Sequence, residues 1–361
     1  MSKLIICLDG LGKDLVTKED MPFLYNFGKE NHFGTLKTLF AFTGLEYCFF
    51  TGNTPDKSGI WLEFCKSKKS IFNSFLLRAF YSSGIKNYIA AFIQLISNRS
   101  YIAGVHNIPK NKLKQFDVSV KYGLWKLPYF TQKTFAFYKW PLFVKKKWKK
   151  IIPKYENDDE RLTRLLEEKG LDIYYTQLMT ADKALHKFGK SSPKTKESLR
   201  KLDGWLDKHL TKFLKENKDG EVFIWSDHGF CEINNYIDLW GQLPKNKEYE
   251  FFIAGTTASF WFENEEIKEE ILKIIKKDSR IKVLNDKEAK RYKIPLEERN
   301  GELVLYLKKG DYFFPNFYQK DNKEKFIGMH GYPDDKELDG IFISNKKIPL
   351  MLKMEEAFNY L

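Results

Sequence analysis

The chain has 361 residues, with 61 Lys/Arg against 48 Asp/Glu and a formal net charge of +13. That length can bury a substantial core and allows two domains. No apolar run reaches the roughly eighteen residues a membrane span needs, and the apolar start Leu4–Cys7 meets Asp9 too soon to be a signal-peptide core. A cytoplasmic protein is expected.

In chain order, Lys3–Leu8 reads as a first strand and Met21–Lys29 as a short helix that Pro22 can start. Glu197–Lys215 has the periodicity of an amphipathic helix, Glu221–Trp225 reads as a strand, and Glu265–Lys277 as a further helix. Leu303–Leu307 is a strand that ends at Lys309-Gly310. This alternation predicts an α/β fold, a mostly parallel central sheet sandwiched by helices. The four cysteines, Cys7, Cys48, Cys65 and Cys231, have no CxxC or other metal-ligand spacing, and Cys7 on a strand suits a buried position.

The stretch from Lys66 to Lys150 differs in kind. It holds eighteen Lys/Arg and one acid, Asp117, a balance of +17, while the remainder has 43 basic and 47 acidic residues, a balance of −4. Aromatic residues are interleaved with the charge, as in Phe135–Trp140 and Phe143–Lys150. Three readings compete: a solvated lysine-rich cap, a surface that docks on an anionic membrane, or a groove for a polyanion such as nucleic acid. For the membrane reading, Phe143–Ile152 mixes bulky apolar residues with lysine and Tyr88–Ser97 could lie as an interfacial helix. Lysine outnumbers arginine, which weakens any sequence-specific readout because lysine lacks the planar fork.

Chemistry-bearing residues fall in five separated places: Asp9 after Lys3–Leu8, Thr43 in Phe42-Thr43-Gly44, Asp182 with His186, Asp227-His228, and His330 in Met329-His330-Gly331-Tyr332. Each has an ordinary explanation. Asp-Gly after a strand is usually a turn, a surface ion pair accounts for Asp182 and His186 on one helical face, and His330 between Gly328 and Gly331 suits a plain turn. Asp227-His228 is sharper, because it ends the apolar run Val222–Trp225, and open α/β sheets place their chemistry just past strand carboxyl ends. Together, three carboxylates, three imidazoles and a hydroxyl can hold two divalent ions with one nucleophile between them.

In order along the chain, Asp9, Thr43, the block Thr51–Ile60, Asp182 with His186, Asp227-His228-Gly229 and His330-Gly331-Tyr332 resemble the alkaline phosphatase superfamily, and within it the nucleotide pyrophosphatase/phosphodiesterase branch. The likeness covers residues 1–64 and 160–345. It implies a catalytic core of residues 1–64 and 156–361, with 65–155 as a Lys- and aromatic-rich insertion or cap. It also implies one ion on Asp182, His186 and His330, and a second on Asp9, Asp227 and His228 beside the Thr43 oxygen. Zinc suits these nitrogen and carboxylate ligands, with manganese or iron as alternatives. The implied reaction is attack of Thr43 on phosphorus, departure of an alcohol or phosphate, and hydrolysis of the phosphothreonine.

Thr43 is preferred over Thr35, Thr38 and Thr51 because it stands eight residues before Thr51-Gly52, near the family spacing; Thr38 is the fallback. The chain departs from the family pattern in lacking Phe-Pro-Asn after the nucleophile, in Ser58 where histidine is common, and in Glu63 near the position of a phosphate-contacting asparagine. No Cys-x-Pro-x-Arg run is present, so the sulfatase branch has no support. The expected activity is a phosphodiesterase or pyrophosphatase acting on a nucleotide, lipid or glycan phosphate ester. Alternatives are a phosphomonoesterase or phosphotransferase on the same centre and, from another class, a non-catalytic basic adaptor for membranes or nucleic acid.

Overall fold

Along Lys3–Leu8 every side chain is buried, and alternate residues enter different cores. Ile5 and Cys7 pack with Tyr175, Phe223 and Trp225, whereas Leu4, Ile6 and Leu8 pack with Leu178, Val222 and Ile224. A strand apolar on both faces must lie inside a sheet covered on both sides. The computed structural model, which describes residues 2–41, 44–62, 64–66, 116–118, 135–139, 142–145, 157–167, 169, 171–245, 248–319 and 325–361, places it there.

The central sheet has eight strands, in the spatial order Met351–Lys353, His32–Lys37, Gly340–Ser344, Glu221–Trp225, Lys3–Leu8, Ile173–Leu178, Phe135–Lys139 and Leu142–Lys145. Gly340–Ser344 and Leu142–Lys145 run against the others, so the sheet is mixed and mostly parallel, as the alternation of elements predicts. One face is covered by the helix Leu45–Thr51 and the C-terminal 3-10 segment Met354–Tyr360, with the Phe49 ring stacked on Trp225 at 3.8 Å. The other face is covered by the helices Pro22–Glu30, Asp158–Glu167, Thr180–Phe188 and Pro193–Glu216.

The strands Lys3–Leu8, Glu221–Trp225 and Leu303–Leu307 have the predicted limits, and the helices differ from prediction by a few residues at their ends. Leu303–Leu307 does not join the central sheet. It belongs to a separate antiparallel sheet, ordered Tyr249–Ile253, Thr257–Phe262, Leu303–Leu307, Ile281–Val283, with the helix Glu265–Ile275 packed on it. Alternation along the chain does not distinguish the two sheets, because pairing partners are set by tertiary contacts. Within 65–155, Phe135–Lys139 pairs parallel to Ile173–Leu178, so this part of the basic stretch extends the edge of the central sheet. Phe116–Val118 pairs with Phe64–Lys66. Tyr88–Ser97 and Lys146–Ile152 lie outside the described residues, and among the described residues no helix is long and apolar enough to cross a membrane. All four cysteines are buried.

One tertiary contact completes the start of a helix that Pro22 opens but no local side chain caps. Met21 precedes Pro22–Glu30 without a side-chain cap, and Asp203 of the long helix Pro193–Glu216 supplies it, accepting hydrogen bonds from Phe23 N and Leu24 N, both at 2.9 Å. Asp203→Ala leaves both amides unsatisfied and is predicted to cost about 1–2 kcal/mol in urea unfolding. Asp207→Ala, on the exposed face of the same helix, should change stability by less than about 0.5 kcal/mol.

Candidate metal centre

Three parallel neighbours, Glu221–Trp225, Lys3–Leu8 and Ile173–Leu178, end side by side, and the segments that follow carry the polar residues. Asp9 follows the middle strand directly. Ser226, Asp227 and His228 follow one neighbour, and the helix Thr180–Phe188, bearing Asp182 and His186, follows the other. This is the position an open α/β sheet reserves for its chemistry.

The three segments are tied to one another. Asp182 N donates to Asp9 O at 3.1 Å, and Gly10 N donates to Asp227 Oδ1 at 3.2 Å. Leu11 N donates to Ser226 Oγ at 2.9 Å, and that hydroxyl donates onward to His228 O at 2.8 Å. Gly10 has φ +76°, and a Cβ there would lie 2.7 Å from the Phe230 ring and 3.2 Å from the Asp182 Cα. Glycine is therefore required for turn and close approach alike.

His330 arrives from much further along the chain. It follows the short strand Gly328–Met329, which pairs antiparallel with Cys231–Glu232, just beyond Asp227-His228. The described ligand candidates then fall into two triads: one atom each from Asp182, His186 and His330, and one each from Asp9, Asp227 and His228, all within 4.8 Å of one another in each group. These are the two sets the sequence resemblance implies. The His228 and His330 rings stack at 3.6 Å and 9°, joining the triads.

The histidines are oriented for ligation. His186 directs Nδ1 to Gly328 O at 3.0 Å, leaving Nε2 3.4 Å from Asp182 Oδ1. His228 directs Nδ1 to Gly229 O at 3.1 Å, leaving Nε2 3.5 Å from Asp9 Oδ1 and 3.6 Å from Asp227 Oδ2. A carbonyl on Nδ1 fixes that nitrogen as the donor and leaves the Nε2 lone pair for a cation. Burial lowers the pKa of His186, against the pull of Asp182, and holds His330 well below the usual imidazole range, helped by repulsion from His228 and His186. Burial raises the pKa of Asp227, with His228 opposing the shift. Carboxylates facing imidazoles in this way are a donor set suited to a divalent cation such as zinc.

Some contributors were not evident from sequence. Phe230 sets its ring edge against His186, at 4.7 Å between centroids, and against His330 at 5.1 Å, while Phe326 stacks on His186 at 4.3 Å. Gln177 Nε2 donates to Asp9 Oδ2 at 2.5 Å. Position two beyond Asp227-His228 was a usable signal for Phe230; Gln177 offered none. Thr38 lies beside the site, its hydroxyl donating to Asp227 O at 2.8 Å. Ser58 is occupied locally, accepting from Ile60 N at 3.2 Å. Thr43 and Glu63 lie outside the described residues. Thr38 and Tyr332 also line a cleft of about 1090 Å³, together with Lys37, Phe40, Tyr292 and Asp339 among others.

A mostly parallel sheet with carboxylate and imidazole triads past its strand ends defines the class of metal-dependent phosphoric ester hydrolases with an alkaline phosphatase-like fold. The chain belongs to the type I phosphodiesterase / nucleotide pyrophosphatase family, whose profile matches residues 3–333. It is thus an enzyme of the hydrolase class, and the non-catalytic adaptor reading is set aside. Human ectonucleotide pyrophosphatase/phosphodiesterase 5 has a similar fold, with a TM-score of 0.70 at 17% identity over 99% of this chain and 93% of its own. The murine counterpart gives the same values. An inactive form of the murine protein, in complex with AMP, gives a TM-score of 0.70 at 16% identity over 99% of this chain and 93% of its own. No curated protein sequence matches the chain.

Each triad is predicted to take one divalent ion. Elemental analysis of purified protein should find two ions per chain, and Asp227→Ala or His228→Ala should reduce this to one. Unchanged metal content in both variants would remove these residues from the ligand set.

Proposed function

We propose that the chain is a two-metal phosphodiesterase or pyrophosphatase with Thr43 as nucleophile and a nucleotide-type phosphate ester as substrate. The observation that carries this reading is the pair of triads, Asp182/His186/His330 and Asp9/Asp227/His228, joined by the stacked rings of His228 and His330. Divalent ions held by the two triads would, when bound, offset the charge that builds on the phosphoryl oxygens and favour the alkoxide of the attacking hydroxyl.

The protein's own groups perform the rest. Carbonyl contacts at Nδ1 orient His186 and His228 with Nε2 toward the carboxylates, and burial favours the neutral form of His186 and His330, where an imidazolium would repel a cation. Phe230 and Phe326 shield His186 on two sides, which lowers the local dielectric and strengthens interactions with an anionic phosphoryl group. Thr43 stands immediately before Gly44, the φ +83° residue that leads into the helix Leu45–Thr51, and its attack on phosphorus would expel an alcohol or phosphate and form a phosphothreonine for water to cleave. Thr38, the other candidate, commits its hydroxyl proton to the Asp227 carbonyl and serves the site as a brace. The cleft beside Thr38 and Tyr332 provides room for groups beyond the phosphorus. Zinc is the metal that best fits the donor set. The murine structure described as inactive and in complex with AMP supports a nucleotide-type substrate.

Thr43→Ala should lower cleavage of bis-p-nitrophenyl phosphate by about 10³-fold or more while leaving metal content unchanged. The wild type should prefer that diester to p-nitrophenyl phosphate. Full activity in Thr43→Ala would refute the covalent mechanism through this residue, and faster monoester cleavage would move the reading to a phosphomonoesterase.

A further inference from the structure

Beneath the two triads lies a buried set of polar residues that neither the sequence motifs nor the ligand assignment accounts for. Gln177, the penultimate residue of Ile173–Leu178, lies opposite Cys7 in register, one residue short of the turn that presents Asp9. Its side-chain amide donates to Asp9 Oδ2 at 2.5 Å. The other carboxylate oxygen, Asp9 Oδ1, is the one that faces His228 Nε2 at 3.5 Å. The carboxylate is thereby divided, with one oxygen held by the protein and one turned into the metal triad. Without a donor on Oδ2, the carboxylate could rotate about its terminal torsion, which is broad for aspartate.

Gln177 is itself held. Arg161, 3% exposed, donates through Nη1 to the main-chain carbonyl of Gln177 at 2.5 Å and lies 3.8 Å from Asp158 Oδ1. Asp158 in turn accepts from Thr180 N at 2.8 Å and Thr180 Oγ1 at 2.6 Å, at the start of the helix that carries Asp182 and His186. One buried acid and one buried base on the helix Asp158–Glu167 thus fasten both the strand end behind Asp9 and the helix start before Asp182.

We infer that Gln177 is a positioning residue for the Asp9 metal site, fixing the Asp9 carboxylate so that Oδ1 ligates, with Asp158 and Arg161 fastening it to the helix of the other triad. This rests on the two-metal reading of the centre. Its energetic weight is that of an outer partner of a metal ligand, whose loss typically lowers metal affinity about 10- to 100-fold.

The test uses the full-length protein and Gln177→Met, which keeps the side-chain length but removes the donor, with Gln177→Leu as a second variant should the first fail to fold. Zinc affinity is measured by competition with a chromophoric chelator, the visible spectrum is recorded after cobalt substitution, and thermal unfolding is followed without metal. The inference predicts a variant that folds, with its metal-free melting temperature lowered only as far as one lost hydrogen bond accounts for, one of two sites weakened about 10- to 100-fold, the other retained, and an altered cobalt spectrum. A residue with a merely structural role would leave affinity and spectrum alone, whatever it did to the metal-free melting temperature. If the wild type binds two ions and a folded variant matches it in affinity and spectrum, the positioning role is refuted while the two-metal reading stands. If the wild type binds no ion, both fall together.

Discussion

Three carboxylates, Asp9, Asp182 and Asp227, converge with three imidazoles where water scarcely reaches, and like charges held so close repel unless cations or protons stand among them. Burial shows this tension in the raised pKa of Asp227 and the lowered values of His186 and His330. Such a cluster persists only because the rest of the fold over-determines it. Adjacent parallel strands bring Asp9, Asp227 and the Asp182 helix to one edge, and the backbone bonds Asp182 N to Asp9 O and Gly10 N to Asp227 Oδ1 lock the segments together. Divalent cations would relieve the repulsion and turn a cost of folding into binding energy.

Much of this was legible in the sequence because the signals are local. Lys3–Leu8 and Glu221–Trp225 are apolar runs that stop abruptly at a carboxylate, and a fully buried strand looks like that in any context. Asp182 and His186, four apart, share a helical face whether or not a metal is present. The ligand sets themselves came from the order of short motifs, and the geometry brings together the same two groups of residues.

What was not legible depends on contacts between distant residues. Leu303–Leu307 has the pattern of a strand but nothing in it says that its partners are Thr257–Phe262 and Ile281–Val283 in a second sheet. Gln177, Asp158 and Arg161 are ordinary polar residues in sequence, and only folding shows them buried behind the two triads. Asp203 likewise looks like one more acid on an amphipathic helix, yet it caps another helix some 180 residues earlier in the chain. In the basic stretch, charge and aromatic content could be counted, but the addition of Phe135–Lys139 to the central sheet could not.

X-ray diffraction from crystals of the zinc-loaded protein, collected above and below the zinc absorption edge, decides whether the two triads are two metal sites. Two anomalous peaks are expected, one among Asp182, His186 and His330 and one among Asp9, Asp227 and His228. A single peak, or none in either triad, would contradict that assignment.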